Sequence, residues 1–499
     1  MPSHCVVEDV LNKRRAGVLL HPTSLPGPLA QGDFGHEAYR FVEFLNSCGF
    51  SIWQMLPLGP THSDLSPYQC LSSHAGNPTL ISLSWLDDKG WLDAEEIDIP
   101  LSHKSYRKEM LKAAANNFYA SNNANWLKKL DEFKADNSYW LDDFALYMAI
   151  KESKNNAPWY LWPEPLRNRS KAALNDQKKK LSREINQTLF EQFIFYTQWH
   201  EIREYAHSHN VIIFGDMPIF VAHDSADVWA NRQLFLNDTN GNLSFVAGVP
   251  PDAFSDTGQR WGNPLYAWDV MAENQFQWWK ERFRTQLKLF DLIRIDHFRG
   301  LESFWQIPAG EDTAMNGQWV KAPGEEFLAE MLNSFDNLPV IAEDLGVITE
   351  EVIHLRDLYE LPGMKILQFA FDSNSSNPYL PHNHTKNSVV YTGTHDNDTT
   401  MGWWSSLDER AKKYFLDYLN LKKTDTDDIL SAMRRMALAS VCNMAILPMQ
   451  DILALDTDCR MNTPGTIDGN WQWRFNWEQV KSDIPSVYKY LLSVYDRAH

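Results

Sequence analysis

The stretch DLIRID (residues 291–296) is a short aliphatic run that ends on a carboxylate. Near-continuous runs of this length are typical of strands covered on both faces, as in parallel sheets. Seven more such runs end on polar, Pro or Gly residues, at 16–22, 51–58, 211–218, 339–344, 364–369, 388–396 and 443–451. Stretches with helical spacing, such as 37–49 and 325–335, lie between many of them. Eight alternating strand and helix units predict an α/β fold, a (β/α)8 TIM barrel.

The spacing of the runs is uneven and predicts insertions into the barrel. About 150 residues separate the second run from the third, far more than a crossover needs, and much of this segment has helical spacing. We therefore expect one barrel over residues 1–499 with a largely helical inserted subdomain at 86–210. A second insertion, 219–285, is rich in Asn, Asp, Gly, Pro and Trp. We expect long functional loops there, including one over the barrel mouth at 246–266.

Composition excludes several classes of protein. The chain has 65 acidic and 46 basic side chains, a net charge of −19, which argues against nucleic acid as a partner. The first residues contain no apolar signal segment, and no apolar run approaches the ~18 residues that span a bilayer. The five cysteines are scattered and form no CxxC pair, so neither a disulfide framework nor a zinc site is indicated. We expect a soluble cytoplasmic protein without membrane contact.

The aromatic content raises the question of whether it serves the core or a ligand. The 20 Trp, 18 Tyr and 26 Phe residues can fill a core, and their flat faces can also stack on ligands. We expect Trp126, Trp140 and Trp199, in the helical insertion, to belong to the core. Tyr68 and Trp261 lie in segments expected to face the barrel mouth, where they could contact a ligand.

Acidic side chains mark the ends of the predicted strands, where barrel enzymes carry their chemistry. Four runs carry such residues at or near their ends. They are Asp216 in the run 211–218, Asp296 in 291–296, Glu343 and Asp344 in 339–344, and Asp396 with His395 in 388–396. Arg294 and Asp296 are two residues apart on one strand and therefore point to the same face. A guanidinium there would hold the Asp296 carboxylate ionised, as a nucleophile requires.

Glu343 ends the next strand along the chain. Neighbouring strands lie about 4.8 Å apart, so inward carboxyls of Asp296 and Glu343 would fall near the ~5–5.5 Å typical of retaining glycosidases. An anionic neighbour and an apolar wall would raise the pKa of Glu343, which suits an acid that later acts as a base. Asp396 would then be a third carboxylate that binds sugar hydroxyls, with His395 donating to them.

Two further questions are whether some of these residues bind a metal and what the neighbouring His297 does. His395, Asp396 and Asp398 could ligate a metal, but alternation along a strand would point the first two in opposite directions, and no second His or Cys cluster completes a site. We therefore expect no metal and no cofactor. His297 follows Asp296 by one residue, so we expect it to point away from the mouth and make a structural hydrogen bond.

Nine sequence blocks carry a resemblance to a known family. They are RIDHFRG (294–300), AEDLGVIT (342–349), TGTHDND (392–398), GDMPIFV (215–221), VAGVPPDAFSDTGQRWGNPLY (246–266), LLHPTSLPGP (19–28), WQMLPLGP (53–60), SPYQ (66–69) and RMNTPGTIDGNWQWR (460–474). These blocks resemble the signatures of 4-α-glucanotransferases of the amylomaltase or disproportionating-enzyme type, which are related to α-amylases. The resemblance covers nearly the whole chain in the family's order.

The resemblance implies an activity and a role for each matching residue. It implies transfer of a segment of an α-1,4-glucan to the 4-OH of glucose or another glucan, through a covalent glycosyl-enzyme with retention of configuration. The implied catalytic residues are Asp296 as nucleophile, Glu343 as acid/base and Asp396 as transition-state stabiliser. The implied substrate-binding residues are Tyr68, Asp216, Trp261, Arg294, Asp372, His395 and Asn462. The implied substrates are maltooligosaccharides, amylose or glycogen-derived glucans, and the oligomeric state stays open, a monomer being compatible with the sequence.

Three other functions compete with this one. An α-amylase-like hydrolase would use the same residues. A catalytically silent glucan-binding scaffold is disfavoured because all three catalytic positions carry carboxylates. A barrel aldolase needs a Schiff-base lysine at a strand's carboxyl end, whereas Lys365 lies near the start of its run.

Overall fold

The computed structural model describes residues 10–93, 105–251, 255–335, 338–422, 425–466 and 468–498. Its strands are β1 Arg15–Leu19, β2 Ile52–Gln54, β3 Ile212–Pro218, β4 Phe245–Val249, β5 Gln259–Pro264, β6 Leu292–Asp296, β7 Ser303–Pro308, β8 Gln318–Lys321, β9 Val340–Ala342, β10 Gly363–Ile366, β11 Ser388–Tyr391 and β12 Met444–Pro448. Eight of these strands form one parallel sheet and the other four form an antiparallel sheet.

The α-helices lie between the strands and at the end of the chain. They are His36–Cys48, Leu83–Asp88, Tyr106–Ala120, Ala124–Asp136, Leu141–Ser153, Glu164–Arg167, Lys171–Lys180, Ser182–Ser208, Ala226–Ala230, Trp268–Glu273, Gln277–Leu289, Gly324–Ser334, Glu350–Leu358, Thr400–Ser406, Glu409–Leu419, Thr426–Ala439, Met449–Ile452 and Ile484–Val494. Two short 3-10 turns, and no α-helix, occupy the described residues between β10 and β11. No described helix combines the length and the apolar character needed to cross a bilayer.

Local sequence explains where several helices begin and end. The helix His36–Cys48 ends at Gly49, whose positive φ of 81° closes the last turn at little steric cost. The helix Thr426–Ala439 begins after Asp425, whose carboxylate accepts from the backbone N–H groups of Asp427 and Asp428. These caps fix the ends of helices whose apolar faces pack on the barrel.

The parallel sheet is a barrel. Its strands run in the order β10, β11, β12, β1, β2, β3, β6 and β9, and every neighbouring pair is parallel. Each strand overlaps one of the eight predicted runs, so the predicted (β/α)8 barrel is confirmed. At the seam, the N–H of Ala342 at the end of β9 donates to the carbonyl of Pro362, next to β10, at 2.9 Å.

A buried carboxylate holds this seam together. Asp344 accepts from the backbone N–H of Met364 at 2.7 Å and from the Arg356 guanidinium at 2.5 Å. A side chain at Gly363 would place its Cβ 2.5 Å from the Asp344 carboxylate, so only glycine allows this approach. Asp344, predicted only as an acidic strand end, therefore lies at the seam.

The barrel interior changes from apolar to polar along the strands. One cluster fills its lower part, with Leu19, Ile52, Phe214, Leu292, Ile341, Ile366, Val389 and Ile446. Side chains alternate along a strand, so the next inward position lies two residues further on. In four strands that position is polar and buried, and it holds Gln54, Asp216, Arg294 and Glu343. The polar layer therefore faces the carboxyl ends of the strands, above a closed apolar core.

The antiparallel sheet was not expected. Its order is β5, β4, β7 and β8, so the segment 246–266 is largely a β-hairpin, although residues 252–254 of the predicted loop lie outside the described part. Part of this segment has regular structure because β4 pairs with β7, where Phe245 faces Pro308. A partner more than 50 residues away leaves no local periodic signal.

Helices fill the described part of segment 86–210, with residues 94–104 outside it. Trp140 and Trp199 are buried, as expected. Trp126 is half-buried and packs edge-on against Trp91 with ring centroids 5.0 Å apart. The division of the chain into one barrel with insertions at 86–210 and 219–285 stays a prediction.

Candidate active site

A guanidinium joins two carboxylates at the carboxyl ends of β3 and β6. Arg294 donates to Asp216 Oδ2 at 2.6 Å and to Asp296 Oδ1 at 2.7 Å. The Arg294 and Asp216 side chains are 5% and 1% exposed, whereas Asp296 is 28% exposed. The predicted shared face of Arg294 and Asp296 is thus present. Asp296 is anchored through one oxygen at the base of the cleft, and part of its carboxylate remains open to a ligand.

Glu343 follows β9 and lies beside this pair. Its two oxygens accept from backbone N–H groups, Oε2 from His297 at 2.6 Å and Oε1 from Leu345 at 2.9 Å. Burial, with the neighbouring Asp296 carboxylate, raises the pKa of Glu343 to about 7 against the opposing charge of Arg294. Glu343 can therefore exist in both protonation states near neutral pH, as an acid/base group must.

Asp396 lies on the opposite wall in the turn after β11. Its carboxylate accepts from Asn462 Nδ2 at 2.6 Å, and His395 Nε2 lies 3.3 Å from its other oxygen. Burial acts to raise the pKa of Asp396, but His395 and Asn462 hold it below its ordinary value. The alternation argument for His395 and Asp396 does not apply because the strand ends at Tyr391. The Asp396 side chain is 46% exposed and stays ionised.

Tyr68 links the two walls of the cleft. Its hydroxyl donates to Asp216 Oδ2 at 2.7 Å and lies 2.8 Å from His395 Nε2. Because the single hydroxyl proton goes to Asp216, His395 Nε2 must be the donor in the second bond. Burial acts to lower the pKa of His395, but Asp396 raises it above its ordinary value. The Tyr68 and His395 rings are stacked, with centroids 5.3 Å apart and planes at 16°.

Trp261 lies on β5 and contacts the residue that follows Asp296. Its ring meets the His297 ring edge-on, with centroids 4.8 Å apart and planes at 90°. His297 has a left-handed backbone with φ of 53°, so the strand alternation that we used to place it ends at Asp296. The expected side-chain hydrogen bond of His297 does not form through Nε2, which is buried and has no partner among the described residues.

Asp372 lies apart from this network. It is exposed, and its carboxylate accepts from Asn377 Nδ2 at 2.9 Å. In the described part of the chain it forms no hydrogen bond with the other predicted site residues.

Among the described residues, no three His, Cys, Asp or Glu side chains are grouped so that they could hold a metal ion.

Three residues that the sequence reasoning missed also shape the cleft. The Trp471 ring lies 5.9 Å from that of Tyr68 and 6.0 Å from that of His395. Arg460 donates to the backbone carbonyl of Asp396 at 3.0 Å. Asp451 lies below the turn and accepts from Thr400 N at 2.8 Å and Thr400 Oγ1 at 2.7 Å. Two of them carried a signal, since Asp451 ends the run 443–451 and Trp471 is a tryptophan in a turn rich in Gly and Asn.

The fold and the cleft together define a class of protein. A (β/α)8 barrel whose mouth holds a buried carboxyl of raised pKa beside an arginine-paired carboxylate is typical of enzymes that act on glycosidic bonds. The model of the 4-alpha-glucanotransferase family matches residues 20–480 of the chain. The chain belongs to this family, which confirms the resemblance read from its sequence blocks, and it is a transferase of that class.

Similar proteins support the same assignment. A 4-alpha-glucanotransferase from Synechocystis sp. is 45% identical over 98% of this chain and 99% of the relative. A 4-alpha-glucanotransferase from Thermus thermophilus is 46% identical over 92% of this chain and 94% of the relative. The amylomaltase from Streptococcus agalactiae, solved in complex with acarbose, superposes with a TM-score of 0.93 at 38% identity, covering 98% of this chain and all of that one.

Proposed function

We propose that the chain transfers segments of maltooligosaccharides, amylose or glycogen-derived glucans to a 4-OH acceptor, glucose or another α-1,4-glucan. The observation that carries the proposal is the pairing of Glu343, a buried acid with a pKa of about 7, with Asp296, a carboxylate held by Arg294. Two carboxyls in these different environments can divide the roles of acid and nucleophile. Asp296 is the nucleophile and Glu343 the acid/base in this proposal.

The first step cleaves the donor. Protonated Glu343 gives its proton to the leaving 4-oxygen while the bond from C1 to that oxygen breaks, and an Asp296 oxygen forms a bond with C1. Asp296 Oδ1 stays bonded to Arg294, which leaves the other oxygen for attack. Asp396, held ionised by His395 and Asn462, binds the ring hydroxyls as the sugar flattens and gains positive charge.

The second step forms the product. Glu343, now a carboxylate, removes the proton from the acceptor 4-OH, the acceptor oxygen bonds to C1, and the bond to Asp296 breaks. Two displacements at C1 retain the α configuration. The enzyme returns to its starting protonation state, so no cofactor or metal is needed in this scheme.

The remaining predicted residues bind the sugar. Tyr68, held by Asp216 and His395, offers its ring face to the sugar at the cleavage point. Arg294 and Asp216 reach hydroxyls of the same sugar, and Asn462 orients Asp396. Asp372, which lies apart from the network, contacts a glucan unit further along the cleft.

Transfer must compete with hydrolysis, since water could also release the glycosyl-enzyme. A transferase favours the glucan by binding it productively and by keeping water poorly placed. Trp261 on the β4–β5 hairpin covers the nucleophile side and is the candidate lid.

We also propose a cytoplasmic location, which suits the free thiols of Cys48, Cys70, Cys442 and Cys459. Cys5 lies outside the described residues.

One incubation with maltotriose tests the proposal. Longer and shorter glucans at a constant number of reducing ends indicate transfer. Rising reducing ends indicate an α-amylase-like hydrolase, and an unchanged substrate indicates a binding protein. Either of the last two results contradicts the proposed function.

A further inference from the structure

His297 lies between two parts of the proposed machinery without belonging to either. Its backbone N–H donates to Glu343 Oε2 at 2.6 Å, and its ring meets the Trp261 ring at 4.8 Å. One residue thus contacts both the candidate acid/base and the candidate lid. Within the described residues the buried Nε2 of the ring has no hydrogen-bond partner, so no bond through this atom holds the ring in place.

The backbone at His297 is held in an uncommon conformation. Its φ of 53° and ψ of 51° lie in the left-handed region, which residues other than glycine seldom adopt. In this conformation, just past the end of β6, the N–H donates to Glu343 Oε2. The Gly300 N–H donates to the His297 carbonyl at 2.9 Å and closes the turn.

The ring packs into a space that fits it closely. A Cβ at Gly300 would lie 3.2 Å from His297 Cδ2 and 2.7 Å from the Ile219 side chain, so the absence of a side chain there admits the imidazole. Trp261 packs on the same ring in the edge-to-face geometry that aromatic pairs favour. Burial lowers the pKa of His297 to about 4, so the ring is neutral while it packs on Trp261.

We propose that His297 is a positioning residue that transmits the position of Trp261 to Glu343. The proposal rests on the proposed function. Trp261 holds the imidazole, the imidazole holds the left-handed turn, and the turn aims its N–H at Glu343 Oε2. A glucan that settles Trp261 over the cleft therefore also fixes the carboxyl that protonates its glycosidic oxygen.

The variant His297→Asn tests this chain of contacts. Asparagine tolerates the left-handed region and keeps the backbone N–H, but it lacks the ring. A donated hydrogen bond stabilises the carboxylate, so a loosened N–H raises the pKa of Glu343. We expect the alkaline limb of the kcat/KM profile to move up by about half to one pH unit, and kcat to fall by about tenfold as the acid loses its position.

The variant leaves the other titratable groups around Glu343 unsubstituted. They are Arg294 and Asp296 on β6, Asp344 next along the chain, and Tyr379 after β10. His74→Asn is the matched control. His74 is also buried, has a pKa lowered to about 4 by burial, and stacks on a tryptophan, Trp140, at 5.9 Å. It has no contact with Glu343, so we expect it to leave the alkaline limb unchanged whatever it does to stability.

A double-variant cycle decides the proposal. Trp261→Ala should shift the same limb in the same direction, and the variant with both changes should shift no further than His297→Asn alone. A wild-type limb in His297→Asn, or shifts that simply add in the double variant, would overturn the proposal. Glu343→Gln separates this from the proposed function: if that variant stays active, the acid/base assignment itself is wrong.

Discussion

Replacing Arg294 with lysine removes the fork that holds two carboxylates at once. Arg294 reaches Asp216 at 2.6 Å and Asp296 at 2.7 Å through different nitrogens. A lysine ammonium can keep one of these contacts, but it has no second nitrogen to hold the other in fixed geometry. We therefore expect the Arg294→Lys variant to fold, but with an Asp296 carboxylate that is no longer held in one position.

The size of the effect follows from one lost charge-assisted hydrogen bond, about 1.5–3 kcal/mol. If this bond orients Asp296 in the transition state, kcat/KM for maltotriose falls by about 10- to 150-fold. Initial rates of glucose release measure kcat/KM, and urea unfolding measures the free energy of unfolding of the same preparation.

Arg356→Lys provides the matched control. Arg356 also bridges two carboxylates, Asp344 at 2.5 Å and Asp357 at 2.7 Å, but at the barrel seam outside the cleft. We expect this variant to lose stability while keeping its kcat/KM. Equal kcat/KM for wild type and Arg294→Lys, or equal losses in the two variants, would refute the assigned role of Arg294.

Three further predictions follow from the cleft. The kcat/KM for transfer should fall as pH rises through about 7, because Glu343 must start protonated and its pKa is raised to about that value; Glu343→Gln should abolish this limb with most of the activity, and a persisting limb would assign it to another group. Trp261→Ala should lower transfer more than hydrolysis, as followed by product ladders and reducing ends, and an unchanged ratio would remove the lid argument. Asp451→Asn should lower the free energy of unfolding by about 1–3 kcal/mol in urea titrations, because Thr392 and Thr400 donate to both carboxylate oxygens, and an unchanged midpoint would contradict this.

The barrel could be predicted because it is written in local pattern. Each parallel strand is a short aliphatic run, and the polar residues that end the runs meet at one face of the barrel. The shared direction of Arg294 and Asp296 followed from their spacing of two residues, and a 2.7 Å ion pair joins them. Periodicity therefore predicted the Arg294–Asp296 pair without any knowledge of the fold beyond the strand count.

Other features depend on contacts that local pattern does not encode. The antiparallel sheet pairs β4 with β7 across more than 50 residues. The hairpin that carries Trp261 therefore gave no strand signal in the sequence. The backbone leaves the strand conformation at His297, where φ is positive. A histidine in the sequence gives no indication of such a φ. Trp471 reaches Tyr68 from the far end of the chain, and only the folded barrel brings the two rings together.

Trapping the glycosyl-enzyme tests the central claim most directly. Glu343→Gln, incubated with α-maltotriosyl fluoride, can still form an ester at Asp296, because fluoride leaves without an acid, but it lacks the base that would release the sugar. We expect the intact protein to gain the mass of one maltotriosyl unit, and the modified peptide to carry it on Asp296. Asp296→Asn in the same background should gain none. An adduct on another residue, or fluoride release at wild-type rates with no adduct, would contradict a covalent intermediate on Asp296.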